Sequence, residues 1–132
     1  YPLVTGVQTC ALPIFGRGPV VFRGPNMNPR VVEGLVAAAT ARSIPFQYQA
    51  SGRATPTDAN VLQTTRAGVA TALVSIPNRY MHSAVETVSL SDLDHAADLL
   101  AAFVRGIDPA TDWAPGWAPS WLPGPAGGGD RR

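Results

Sequence analysis

The chain has 132 residues and a formal net charge of +1, with 45% apolar and 14% charged residues. That length suits one small domain. The near-zero charge gives no electrostatic reason to expect nucleic acid or an anionic membrane surface as a partner. No apolar run reaches the roughly 18–20 residues a membrane span needs, and a single cysteine cannot build a disulfide framework. Together these point to a cytoplasmic protein.

The elements follow in chain order. Val4-Thr-Gly-Val-Gln-Thr-Cys-Ala-Leu-Pro-Ile14 resembles the translation of a short-read sequencing adapter. Residues 1–15 are therefore set aside as an appended string, with natural sequence expected upstream. The alternative is an ordinary N-terminal strand with Cys10 as a buried thiol. Gly18-Pro-Val-Val-Phe-Arg23 reads as a strand, broken by Gly24-Pro25-Asn26. Asn28 is placed to cap a helix that carries Pro29 in its first turn. Val32, Leu35, Val36 and Ala39 recur at helical spacing, and the helix should end near Arg42. Ile44–Ala50 reads as a second strand with Phe46 and Tyr48 on one face.

Ser51–Thr57 is a polar loop. Thr57 can cap a helix over Asp58–Arg66, with Gly68 beyond its end. Val69–Ile76 is nearly all apolar, as expected of a central parallel strand covered on both faces. Asn78–Ser83 is then a loop, and Glu86–Leu90 a short edge strand. Ser91 is placed to cap the last helix, with Asp92 and Asp94 in its first turn, where the dipole favours them. Ala96, Leu99, Leu100, Phe103 and Val104 form its apolar stripe, and Gly106 stops it. Alternating strands and helices predict an α/β fold, a three-layer α/β/α unit with a mainly parallel sheet. Beyond residue 107, Pro, Gly and the spaced Trp113, Trp117 and Trp121 forbid a regular helix. Residues 108–132 read as a disordered tail, or as one whose tryptophans fold back on an apolar surface or bind a partner.

Ligands of open α/β sheets gather beyond the carboxyl ends of strands. Two loops qualify on this reading: one holds Thr57 and Asp58, the other Arg79, Tyr80 and His82. His82 is a candidate metal ligand as a neutral imidazole, although a lone loop histidine is more often structural. Glu86 is expected to pair with a backbone amide or an Arg, and His95, Asp92, Asp94 and Asp98 to be solvated.

Three stretches carry a more specific signal: Gly16–Pro29, Ser51–Asn60 with its Thr57-Asp-Ala-Asn60, and Ser75–Glu86 with Arg79-Tyr-Met-His-Ser83. In this order and spacing they resemble the C-terminal third of the tetrahedral, or glutamyl, aminopeptidase family, some members of which carry endoglucanase labels. The resemblance covers residues 16–107. It implies a C-terminal fragment of a two-metal metallopeptidase that cleaves N-terminal residues from peptides. In such a site two ions, Zn or Co, polarise the scissile carbonyl and generate hydroxide near neutral pH. It also implies a twelve-subunit homo-oligomeric shell. By this resemblance His82 is one metal ligand. Asp58 and Thr57 would support the site from behind or meet substrate, and Arg79 and Tyr80 would shape the substrate pocket. The general base and the remaining ligands are expected upstream, which leaves the fragment inactive alone. Ala84 stands where the family usually has Pro. Two other readings stay open: an endoglucanase-type glycoside hydrolase, which would need paired carboxylates, and a non-enzymatic interaction domain.

Overall fold

The computed structural model describes residues 13–114. Among the described residues, five strands and three helices follow in the order β1 (Val20–Arg23), α1 (Pro29–Ala41), β2 (Gln47–Ala50), α2 (Asp58–Leu62), β3 (Val74–Ser75), β4 (Asn78–Arg79), β5 (Thr87–Val88) and α3 (Leu90–Arg105). The α/β class is as the sequence predicts. Trp117, Trp121 and Cys10 lie outside the described residues.

Helix α1 begins where its cap chemistry requires. The Asn28 side chain accepts hydrogen bonds from the amides of Arg30 and Val31, at 2.9 and 3.2 Å. Pro29 stands where no intrahelical N–H is needed. Val31, Val32, Leu35 and Ala39 are buried, while Val36 is only half-buried. At the far end the Ser43 amide donates to Thr40 O and the Ile44 amide to Ala39 O. Ser43 adopts φ +54°, so a serine fills the left-handed position that glycine usually takes.

β1 and β2 pair in parallel, Val20 opposite Gln47 and Arg23 opposite Ala50, with α1 as the crossover. Gly18 makes this approach possible. Its φ is +85°, and a Cβ there would lie 1.9 Å from the Pro45 carbonyl oxygen. On the other side of β1 the structure corrects the sequence reading. The apolar run Val69–Ile76 contributes only two strand residues, and these pair antiparallel to β1, Val20 opposite Ser75 and Val21 opposite Val74. Within the three-stranded sheet the longer pairing is therefore parallel and the shorter antiparallel. The run is not covered on both faces either: Val69 is 49% exposed and Leu73, Val74 and Ile76 are half-buried. β4 and β5 form a separate two-stranded hairpin.

The core lies between α1, β1 and α3, with Val21, Met27, Val32, Leu35, Ala39, Ala59 and Leu99 in one cluster. Helix α3 starts one turn-fraction earlier than expected, with Ser89 at the cap position rather than Ser91. Its stripe is also narrower. Asp92, Ala96 and Leu99 are buried, whereas Leu100 and Val104 are 46% and 63% exposed. Asp92, read as a solvated acid, is fully buried and accepts from the amides of Gly16 and Gly18 at 2.9 and 2.8 Å. It ties the last helix to the lead-in of the first strand. His95 is half-buried rather than solvated, and its Nδ1 has no hydrogen-bond partner among the described residues.

Residues 13–15, set aside as part of an appended string, make contacts. Ile14 exchanges two hydrogen bonds with the Gln47 side chain. At the other end, residues 108–114 return to the start of α1. The Trp113 ring sits 6.1 Å from that of Phe103. Asn28 Nδ2 donates to Trp113 O at 2.8 Å, and the Arg30 guanidinium donates to Asp112 O at 2.7 Å.

Candidate functional site

His82 lies in the turn of the β4–β5 hairpin. It is exposed, and its ring makes no hydrogen bond among the described residues. Two non-glycine residues of this turn have left-handed backbones, Tyr80 at φ +61° and His82 at φ +63°. Such conformations are uncommon outside glycine and concentrate where surrounding structure imposes them. Glu86 bonds to the second of these two residues. One carboxylate oxygen accepts from the His82 backbone amide at 2.7 Å and the other from Asn78 Nδ2 at 2.7 Å. The expectation that Glu86 pairs with a backbone amide therefore holds, and the amide is that of His82 itself. Ser83 closes the turn, its amide donating to Tyr80 O and its hydroxyl to Val85 O.

Arg79 is on β4, opposite Thr87. Its guanidinium lies 5.4 Å from the centre of the Phe15 ring, a cation–π contact. Tyr80 and Met81 are 68% and 60% exposed. Arg79, Tyr80 and His82 thus form one exposed group on a clamped hairpin.

Thr57 and Asp58 are elsewhere. Because β3 runs against β1, its carboxyl end lies beside the start of β1, while the carboxyl end of β2 lies beside the end of β1. The two candidate loops consequently leave opposite ends of the three-stranded sheet. The single shared rim expected from a parallel arrangement is not found among the described residues. Asp58 is exposed at the start of α2, and no hydrogen bond or ion pair joins it to His82 among the described residues. Thr57 occupies the cap position of α2 without a capping hydrogen bond. Its hydroxyl instead meets that of Thr55 at 3.0 Å.

That end of the sheet is held by a buried polar network which sequence reasoning missed. Asn26 is 2% exposed and Thr55 6%. Asn26 Nδ2 donates to Thr55 Oγ1 at 3.0 Å, and the Thr55 amide donates back to Asn26 Oδ1 at 3.3 Å. Thr71 Oγ1 donates to Asn26 O at 3.3 Å. The network joins the loop after β1, the loop after β2 and the lead-in to β3. A Pro-Asn pair after a strand is the one sequence sign of it, and that sign also fits a simple turn. A cleft of about 590 Å³ opens beside it, lined by Asn26, Asn28, Gln63, Gly68, Thr71 and Trp113 among others. It contains none of the five candidate residues.

The sequence matches the model of the M42 glutamyl aminopeptidase family over residues 5–99. The chain belongs to that family. A curated relative, the lysyl aminopeptidase of Pyrococcus furiosus, is 44% identical over 104 residues, which is 79% of this chain and 30% of the relative. The fold of this M42 chain also resembles the TET aminopeptidase of the marine sediment archaeon Thaumarchaeota archaeon SCGC AB-539-E09. The TM-score is 0.66 at 29% identity, over 75% of this chain and 28% of that one. A further similar structure, PhTET1-12s, is described as a dodecamer in the asymmetric unit. It has a TM-score of 0.54 at 25% identity, over 69% of this chain and 27% of its own. The M42 chain thus spans under a third of the length of these proteins.

Proposed function

We propose that this chain is the C-terminal part of a two-metal aminopeptidase that releases N-terminal residues from peptides, and that His82 is one of the metal ligands. The observation that carries the reading is His82 itself. It is an exposed imidazole with no hydrogen bond to its ring among the described residues, on a turn whose backbone is clamped by Glu86. It stands within the stretch that matches the family. A pair of divalent ions, Zn or Co, would polarise the scissile carbonyl and acidify a water molecule.

The donor chemistry of this chain fits one position of such a site and no more. No group of three or more His, Cys, Asp or Glu side chains gathers among the described residues, and a catalytic ion needs about three protein ligands. His82 would bind through a neutral ring nitrogen. Arg79 and Tyr80, beside it on the hairpin, would meet the peptide. Thr57 and Asp58, at the other end of the sheet, would reach the site only through parts of a longer protein. The general base would come from such parts too, and the chain alone would be inactive.

Several exposed apolar side chains support a longer parent. Val61, Val69, Tyr80, Met81 and Val85 are 68%, 49%, 68%, 60% and 74% exposed, and among the described residues β3 is an edge strand. Surface of this kind usually meets a partner. The dodecameric state of PhTET1-12s supports a homo-oligomeric parent, and no helix of the described residues is long and apolar enough to cross a membrane. We place the parent in the cytoplasm. A glycoside hydrolase finds no support in the geometry. The two loop acids, Asp58 and Glu86, stand at opposite ends of the sheet, and both Glu86 oxygens already accept hydrogen bonds.

The test is to join this chain to an upstream M42 segment and assay aminoacyl chromogenic substrates. Cleavage should appear, be abolished by a chelator and return with Zn²⁺ or Co²⁺. His82→Ala should lower it more than about 100-fold, since even groups that merely support a metal ligand cost 10–100-fold when removed. Cleavage that survives both chelation and His82→Ala would remove the reading.

A further inference from the structure

We infer that Glu86 is a positioning residue for His82: its carboxylate clamps the turn so that the histidine is held in its left-handed backbone conformation and its ring keeps a fixed bearing. The inference rests on the metal-ligand reading of His82 and deepens it.

Three observations converge. First, the two bonds made by Glu86 are short and charge-assisted, 2.7 Å each, and they go to different parts of the hairpin. One reaches the β4 residue Asn78 and the other the tip residue His82, so the carboxylate spans the turn from within. Charge-assisted bonds of this kind are roughly twice as strong as neutral ones. Second, the residue whose amide is captured is the one with φ +63°. That conformation costs an L-residue roughly 1–2 kcal/mol, because Cβ then crowds the neighbouring carbonyl, and a bond to the amide helps to offset it. Third, the rest of the tip has no core beneath it. Residues 79–88 are all exposed, so apolar packing cannot fix the histidine. Polar restraints remain: the Glu86 clamp, the Ser83 amide on Tyr80 O and the Ser83 hydroxyl on Val85 O. Of these, only Glu86 bonds to His82 among the described residues.

The same geometry separates this role from two others open to a loop carboxylate. A metal ligand or a general base needs an oxygen facing the reacting atoms. Both oxygens of Glu86 face its own hairpin. The distinction matters because a ligand histidine must sit close to its productive geometry, within about 0.5 Å, before the metal arrives.

The test uses the full 132-residue chain, isotope-labelled, as wild type, Glu86→Gln and Glu86→Ala. A positive φ gives a strong NOE between a residue's own amide proton and Hα. That signature should be present at His82 in wild type, weakened in Glu86→Gln and lost in Glu86→Ala. The His82 amide should exchange with solvent roughly tenfold faster or more in Glu86→Ala. Amides of α1 and of the β1–β2 pairing should keep their protection, which excludes general unfolding. An unchanged His82 signature and exchange rate in Glu86→Ala would overturn the inference. The reading beneath it is tested separately, in the chain joined to an upstream M42 segment. Chelator-sensitive cleavage that is lost in His82→Ala supports a metal ligand there. Chelator-sensitive cleavage that survives His82→Ala while the amide results hold would refute the metal role of His82 and leave the clamp established.

Discussion

Single residues carry much of the stability. Asp92 is the clearest case: its two oxygens satisfy two strand-lead amides across 74 and 76 residues of sequence. Asp92→Ala orphans the buried Gly18 amide, while the amide of the exposed Gly16 can turn to water, so it should cost about 1–3 kcal/mol. Urea denaturation monitored by circular dichroism measures it. Asp92→Asn should be milder, since one oxygen acceptor remains. Gly18→Ala should be worse than either. The added carbon would overlap the Pro45 carbonyl oxygen at 1.9 Å, backbone meets backbone, and neither can swing aside. Little of this was legible beforehand. An acid in the first turn of a helix reads as a dipole partner facing water, and nothing local marks the distant amides it serves. The Asn26–Thr55 pair was hidden for the same reason. Both members are ordinary turn residues, and only the tertiary fold makes them meet. The Glu86 bond was easier to foresee, because a family word surrounds it and its partner lies four residues away.

At the scale of elements, α1 was the most readable. Asn28, Pro29 and a 3.6-residue apolar period are all local signals, and the helix spans Pro29–Ala41. The direction of β3 was not readable. An apolar β-branched run fixes burial but carries no sign of whether its neighbour runs with it or against it. The path is set instead by contacts of the preceding segment, such as the Asn28 amide on Thr71 O at 2.7 Å. The packing of α1 on α3 turns on Gly34, where an added Cβ would lie 2.8 Å from Phe103 Cε2. Gly34→Ala gains about 1 kcal/mol in helix propensity and asks the ring only to rotate, so its net effect should be within about 1 kcal/mol. Gly34→Leu forces the helices apart and should destabilise by about 1–3 kcal/mol. The pair of melting curves separates the two. The returning segment adds a second brace. Trp113→Ala removes its contact with Phe103 and should lower stability by about 1–3 kcal/mol. Asp112→Ala should change little, because the Arg30–Asp112 ion pair is solvent-exposed on both sides.

For the whole molecule, the exposed apolar residues around α2 and the β4–β5 tip are the main feature. A chain of this size with a +1 charge and that much bare surface should bind a hydrophobic dye strongly and associate at high concentration. Attaching the upstream M42 segment should quench most of the dye signal; no change would mean that the segment packs elsewhere. The α/β class was legible from the alternation of elements. The separation of the Thr57–Asp58 loop from the His82 loop was not, since it follows from the sense of β3 alone.

The bond from Asp92 to Gly16 and Gly18 has a consequence for synthesis. Proteins are made from one end, and an anchor of the lead-in to β1 is supplied by α3, more than 70 residues later. Until the ribosome has released α3, β1 can pair but lacks this tie. Any stop codon before residue 92 would thus yield a product in which the Gly16 and Gly18 amides have lost their acceptor, however complete the sheet appears on paper.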